Sequence, residues 1–209
     1  MHLLLFDVTP FPERRNEYLD IAARLKAELE RVGGCHHIER FRNLADPKNL
    51  LSFQLWADEA AIVAWRLNAA HQDMQLHGRE KVFEDYRLRV AGIVPPDQDA
   101  DQDADQDAFE QADAAAAGRL VLVMQSGASY LPPEHREGLQ VQSYASLYRA
   151  DQYLHVVEAA PAHLDRIQAL RAADPIRHHL ARVVRDYGMF ERGEAPQQRP
   201  PVCPIRHRT

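Results

Sequence analysis

Residues 56–94, WADEAAIVAWRLNAAHQDMQLHGREKVFEDYRLRVAGIV, hold a helix start, a helical face and an exit strand in one piece. Asp58 is a good N-cap, and Glu59 puts negative charge in the first turn, where the helix macrodipole favours it. Ala61, Ala64 and Trp65, then Ala60, Val63 and Leu67, recur at i, i+3, i+4 spacing, so one side of this helix can lie against a sheet. Gly78 loosens the helical run. From Tyr86 the period changes to two, with Tyr86, Leu88 and Val90 alternating with Arg87, Arg89 and Ala91, which predicts a strand.

Upstream, residues 2–8 (HLLLFDV) form a short apolar strand that Thr9-Pro10-Phe11-Pro12 ends by fixing φ and withholding donors. From Glu13 the face Tyr18, Ile21, Ala22, Leu25, Leu29, Val32 predicts a helix closed by Gly33-Gly34. Residues 35–43 and 50–56 then read as two strands across the turn Asp46-Pro47-Lys48-Asn49. The sum is a βαββαβ unit over residues 1–96, whose open sheet face must be covered by another sheet or a partner.

Pro95-Pro96 stops that unit, and DQDA then repeats three times from residue 97 to 108. The composition predicts a solvated acidic linker over 97–118, with residues 109–117 as a frayed helix. A second pass begins at residue 119: a strand at 120–124, a hairpin of 141–149 and 153–159, a helix at 162–172 and a last strand at 180–190. Gly127, Pro132, Pro133 and Gly138 leave no room for a helix like the one at 13–32, so this unit, 119–194, is expected to lack most of its first helix. Residues 195–209 form a Pro- and Arg-rich tail.

The formal charge of −6 is misleading, because residues 97–117 hold eight acidic residues and no Lys or Arg, leaving the rest of the chain at +2. No basic stripe suits nucleic acid. Two cysteines, Cys35 and Cys203, are too few for a disulfide framework and fit a cytoplasmic, reducing setting. The apolar start is interrupted by Asp7 and lacks a basic flank, so it reads as a strand, not a signal peptide. No run approaches the ~18 apolar residues of a membrane span.

The order strand, helix, strand, hairpin, strand, helix, strand, with W-x-D-E-x-A at residues 56–61, H-x3-Q-x2-G-R at 71–79 and Y-R-L-R-V at 86–90, resembles the antibiotic biosynthesis monooxygenase (ABM) family. The C-terminal run ARVVRDYGMFER is similar to the last strand and tail of single-domain members. The resemblance implies an α+β fold of two ferredoxin-like βαββαβ units in tandem, the second degenerate. It also implies that their sheets meet as a dimeric α+β barrel, within the chain as a pseudo-dimer or in a homodimer.

By the same resemblance the leading expectation is a cofactor-independent monooxygenase acting on a quinol or polyketide-like aromatic. Trp56 and Trp65 would wall the pocket with Tyr86, and Asp7, Ser52 and His71 would handle protons. In quinone-forming members an Asn stands four residues before the strand Trp, and here that position is Ser52, which keeps one hydroxyl donor. Haem-degrading relatives would instead put Asp7, Trp65 and His71 around a haem, and Asp7 could not donate to an iron-bound oxygen when ionised. A non-catalytic ligand-binding or assembly module is the other alternative. His36-His37, His71 with His77, and His178-His179 give no chelating spacing, so no metal site is expected. Arg87 and Arg89 share a strand face that either meets an anionic ligand or is solvated.

Overall fold

The structure, a computed structural model, describes residues 1–94, 119–129, 131, 139–173 and 178–196. In chain order these form β1 (His2–Pro10), α1 (Arg15–Arg24), α2 (Lys26–Val32), β2 (Cys35–Asn43), β3 (Leu50–Trp56), α3 (Glu59–Leu67), α4 (Ala69–His77) and β4 (Phe83–Ile93). The second half follows as β5 (Leu120–Ser126), β6 (Gln140–Ser146), β7 (Tyr153–Ala159), α5 (Leu164–Ala173) and β8 (His178–Gly188). The expected linker at 97–118 and most of the helix-poor stretch before residue 139 lie outside the described residues. No helix among the described residues is long and apolar enough to cross a membrane.

The strands close into one barrel in the order β1-β3-β2-β6-β7-β5-β8-β4. The faces that the two halves would leave open thus cover each other inside a single chain. In each half the strands run fourth, first, third, second, and the seams join like to like, β2 with β6 and β4 with β8. The β4–β8 seam is long, from Arg87↔Gly188 to Ile93↔Ala181, whereas β2–β6 pairs only Phe41, Arg42 and Asn43 with Ser146, Ala145 and Tyr144.

Strand alternation sorts the side chains into an inner and an outer layer. Leu3, Leu5, Phe41, Leu51, Phe53, Ala91, Val121, Val123, Leu154, Val156 and Ala181 fill the barrel. Outside the first half, Leu4, Trp56, Ile62, Trp65, Leu29 and Val90 pack between sheet and helices. Outside the second half, Ile167 and Leu170 of α5 close on Leu120, Leu122, Met124, Val157 and Leu180, with Leu131 beside them.

Arg87 and Arg89 lie on the barrel side of the sheet and meet the second half, Arg89 buried and Arg87 partly exposed at the barrel mouth. Arg89, 1% exposed, bonds Asp7 at 2.5 Å and Glu158 at 2.6 Å. Arg87 holds Glu158 at 2.8 Å and Asp186 at 2.6 Å, and Arg119 reaches Asp186 and Glu194, both at 2.8 Å. A bulge between Val183 and Arg185 of β8, opposite Val90 and Ala91, turns Asp186 inward in register with Arg89. Without that extra residue Arg185 would face the arginines; instead it lies outside, paired with Glu59.

Local chemistry sets the element ends. Asp58 caps α3 as expected, accepting from the Ala61 N–H at 2.8 Å. The helical run does not continue to Gly78, however: Asn68, at ψ 127°, ends α3 and caps α4 by accepting from the His71 N–H at 3.0 Å. Gly78 opens a π-helical turn, Gly78–Val82, and a Cβ there would stand 2.5 Å from the Phe83 ring. The strand after it begins at Phe83, three residues before the period-two signal. Gly34 has φ +77°, and a Cβ on it would meet the Ala61 Cβ at 2.5 Å, so the close approach of α3 to the α2–β2 corner requires glycine.

Two outcomes follow. A chain ending at Pro96 bares Leu3, Leu5, Leu51 and Phe53, and light scattering is expected to find it associated; a soluble monomer would contradict the covering role of the second half. Burial raises the Asp186 carboxyl, but the hydrogen bonds and charge of Arg87, with Arg119 and Arg89, outweigh it and hold it below its ordinary 3.8. That depressed group contributes stability that is complete above about pH 4 and is lost as pH falls through the lower folded value. Urea midpoints between pH 6 and pH 2.5 should therefore drop less in Asp186→Asn than in the wild type.

Candidate functional site

A cavity of about 570 Å³ opens between the outer face of the first half's sheet and α1–α4. Its apolar walls include Leu4, Phe6, Ile21, Leu25, Leu29, Ile38, Met74, Phe83 and Leu88. Phe6, Tyr18, Phe83 and Tyr86 pack edge to face or tilted at one side, with ring centres 5.6–6.3 Å apart. A space of this size with a few convergent polar groups is the usual form of a small-molecule site.

Ser52, Trp65, His71 and Tyr86 all line this one cavity. Trp56 does not: it is fully buried two side-chain positions beyond Ser52 on the same strand face and acts through its indole N–H. Trp56 Nε1 donates to Gln54 Oε1 at 3.0 Å, and Gln54 Nε2 donates to Ser52 Oγ at 3.1 Å. Because indole nitrogen only donates, it fixes which end of the Gln54 amide faces Ser52. The serine oxygen is then an acceptor from within, and its own hydrogen is the one available to the cavity.

Asp7, like Trp56, does not line the cavity, and it alone of the expected site residues lies on the other side of the sheet. It stands on the inner face of β1, bonded to Arg89 and, at 2.9 Å, to the Tyr144 hydroxyl. The β1 backbone separates it from the cavity, so it neither handles protons there nor joins Trp65 and His71 around a haem. Burial, reinforced by the Asp7 charge, pushes the Tyr144 phenol well above its ordinary value, so Tyr144 remains a neutral donor to that carboxylate.

His71 stacks on Trp65, with ring centres 4.1 Å apart and planes at 13°. Its Nδ1 lies 2.9 Å from the Trp65 carbonyl oxygen, which can only accept, so Nδ1 carries the hydrogen and Nε2 is the basic nitrogen of the neutral ring. The Asn68 cap that breaks the helix is what places this imidazole against Trp65. Tyr86 accepts at its hydroxyl from Arg192 Nη1 at 3.0 Å.

Several wall residues escaped the sequence reading. Gln54 was legible, since 52, 54 and 56 share one strand face. Arg40 enters because β2 pairs it directly with Ser52. Tyr148, Tyr187 and Arg192 belong to the second half yet line the cavity of the first, a relation that only barrel closure creates.

The antibiotic biosynthesis monooxygenase family model matches residues 1–76. Over 221 aligned positions, 97% of this chain and the whole of the relative, the chain is 31% identical to the Jasmonate monooxygenase ABM of Pyricularia oryzae. The chain belongs to the ABM family. Among solved structures, an antibiotic biosynthesis monooxygenase is 17% identical with a TM-score of 0.41, covering 46% of this chain and 100% of its own. An anthrone oxidase-like protein is 11% identical with a TM-score of 0.39, covering 93% of this chain and 96% of its own.

The relay from Trp56 to Ser52 makes a prediction of its own. Trp56→Phe keeps most of the volume but leaves the buried Gln54 oxygen without its donor, at a cost of about 1–3 kcal/mol. Urea unfolding should show that loss, while an unchanged midpoint would mean that the amide is not held by the indole.

Proposed function

We propose that this ABM protein is a cofactor-independent monooxygenase that oxidises a small quinol or polyketide-like aromatic in the cavity between the first-half sheet and α1–α4. The observation that carries the reading is the convergence of Ser52, Trp65, His71 and Tyr86 on one apolar cavity of about 570 Å³, in a chain of this family. A relative named as a jasmonate monooxygenase supports oxygenation of a small organic substrate.

In this reading His71 Nε2 takes a proton from an activated ring CH2, and Tyr86 donates a hydrogen bond to the ring oxygen that gathers the negative charge, with Ser52 beside it as a further donor to the substrate. The carbanion reduces oxygen to a substrate hydroperoxide, which loses water to leave a carbonyl. One CH2 and one O2 thus give one C=O and one H2O, and no outside reductant is consumed. The apolar walls keep water from quenching the anion. We also infer that residues 119–194 are a degenerate second copy of residues 1–96, supported by the matching strand order of the halves. The second copy would complete the barrel and lend Tyr148, Tyr187 and Arg192 to the cavity wall, in a cytosolic protein with free thiols.

Oxygen uptake with anthrone and 1,4-naphthohydroquinone tests the activity. Turnover is expected with at least one, and His71→Ala should lower kcat/KM by about 10²-fold while leaving the fold intact by circular dichroism. No uptake above the buffer rate with either compound, or full activity in His71→Ala, would sink it.

A further inference from the structure

The two sides of the first-half sheet treat arginine in opposite ways. On the barrel side Arg87 and Arg89 each meet carboxylates at 2.5–3.1 Å. Outside, the cavity wall carries Lys26, Arg40, Arg66, Arg79 and Arg192, and no Asp or Glu among the described residues lines it. Lys26 has Glu30 at 3.9 Å, so any requirement for an anion in this wall is a matter for the individual cations.

Arg40 is where that requirement is sharpest. Its Nε is buried without a hydrogen-bond partner, and it forms no ion pair with any described residue. Burial works against its charge, but the phenols of Tyr18 and Tyr148, through electrostatics and hydrogen bonding, outweigh it and hold the guanidinium above its ordinary value; the Tyr18 ring centre lies 5.9 Å from the guanidinium carbon, and both phenols are neutral partners rather than anions. An arginine does not escape this by losing its proton. Leaving a guanidinium in an apolar wall is costly unless an anion joins it.

The neighbouring groups suit a carboxylate. Ser52 stands directly opposite Arg40 in the β2–β3 register, on the same sheet face, so their side chains are neighbours. With its oxygen already accepting from Gln54, Ser52 has a hydrogen to give to an anion that Arg40 holds. Trp65, Leu29, Ile38 and Leu88 present apolar surface in the same cavity for a ring or chain attached to that anion. The Tyr148 turn is tied back over the site by the Leu147 N–H, which donates to the Arg40 carbonyl at 2.9 Å.

We propose that this cavity selects an organic monoacid, a compact apolar ring body carrying one carboxylate, and that Arg40 with Ser52 is the subsite that binds the carboxylate. The proposal rests on the proposed function for the place of the site but not for its chemistry, since binding is measurable without turnover. A charge-assisted bond in a desolvated wall discriminates strongly between an acid and its neutral isostere. It is also less sensitive to salt than a surface contact.

Isothermal titration of the full chain with 1-naphthaleneacetate and 1-naphthaleneacetamide, which share a ring and differ in charge, tests this. The acid is expected to bind at least about tenfold more tightly than the amide, and Arg40→Met to abolish that preference while leaving amide affinity unchanged. Amide binding and the circular dichroism spectrum report that the variant is folded, and Arg40→Lys, which keeps the charge, should retain part of the preference. Equal affinities in the wild type, a preference that survives Arg40→Met, or no binding of either probe would each overturn the proposal. Failure of oxygen uptake with the acid preference intact would remove the monooxygenase reading alone. Turnover without any acid preference would remove this one alone.

Discussion

Arg89 lies in the interior of a closed barrel, almost wholly out of solvent, and holds one carboxylate from each half of the chain. A charge there is tolerable only if both bonds are made, and both can be made only when β4, β1 and β7 are in register. Asp7 comes from the first strand of the chain and Glu158 from the seventh, so the ion group tests the whole closure at once. Arg87 and Asp186 repeat the test across the long β4–β8 seam. Replacing such a group by apolar residues is often energetically neutral, so its value lies in excluding other registers more than in adding stability.

The same strand alternation that sends Arg89 inward sends Tyr86, Leu88 and Val90 outward, and Asp7 inward sends Phe6 outward. Barrel and cavity are therefore two sides of one register. A slip of one residue in β1 or β4 would put the buried charges under the helices and the cavity wall into the barrel. The bulge at Val184 is the point where the second half adjusts its own register to meet this demand.

The fold was legible where a local signal decides it. Asp58 before an apolar helical face, Gly33-Gly34 after another, and the period-two run near Tyr86 each specify an element whatever the rest of the chain does. The break at Asn68 was not legible, because Asn followed by Ala-Ala-His sits inside a stretch whose composition suits one helix, and only its capping of His71 makes two. Four of the six expected site residues share one cavity, since residues on outward strand positions and the inner helix face must converge. Asp7 was assigned to the wrong side because strand 2–8 is apolar on both faces, so its sequence does not say which parity is the barrel. Arg40 and Tyr148 depend on pairing register and on the second half, neither of which is local.

The two halves have the same strand order, but their outer layers do different work. Over the second half, Leu131, Ile167 and Leu170 pack directly onto Leu120, Leu122, Met124 and Leu180, and buried His155 bonds Ser143 and the Ala128 carbonyl, so that face is built as core. Over the first half, the short helices α1 to α4, interrupted at Leu25 and Asn68, bridge the sheet without filling the space beneath them. Broken helices leave fewer continuous ridges to seat in the sheet, and the aromatic rings at one side act as spacers. The tail and the β6–β7 turn of the second half then lean over that space through Arg192 and Tyr148. A second half packed solid on its own outer face leaves its loops available for the wall of the cavity over the first. Such a division of labour is unavailable to two identical chains, where any loop that walls one cavity must wall both.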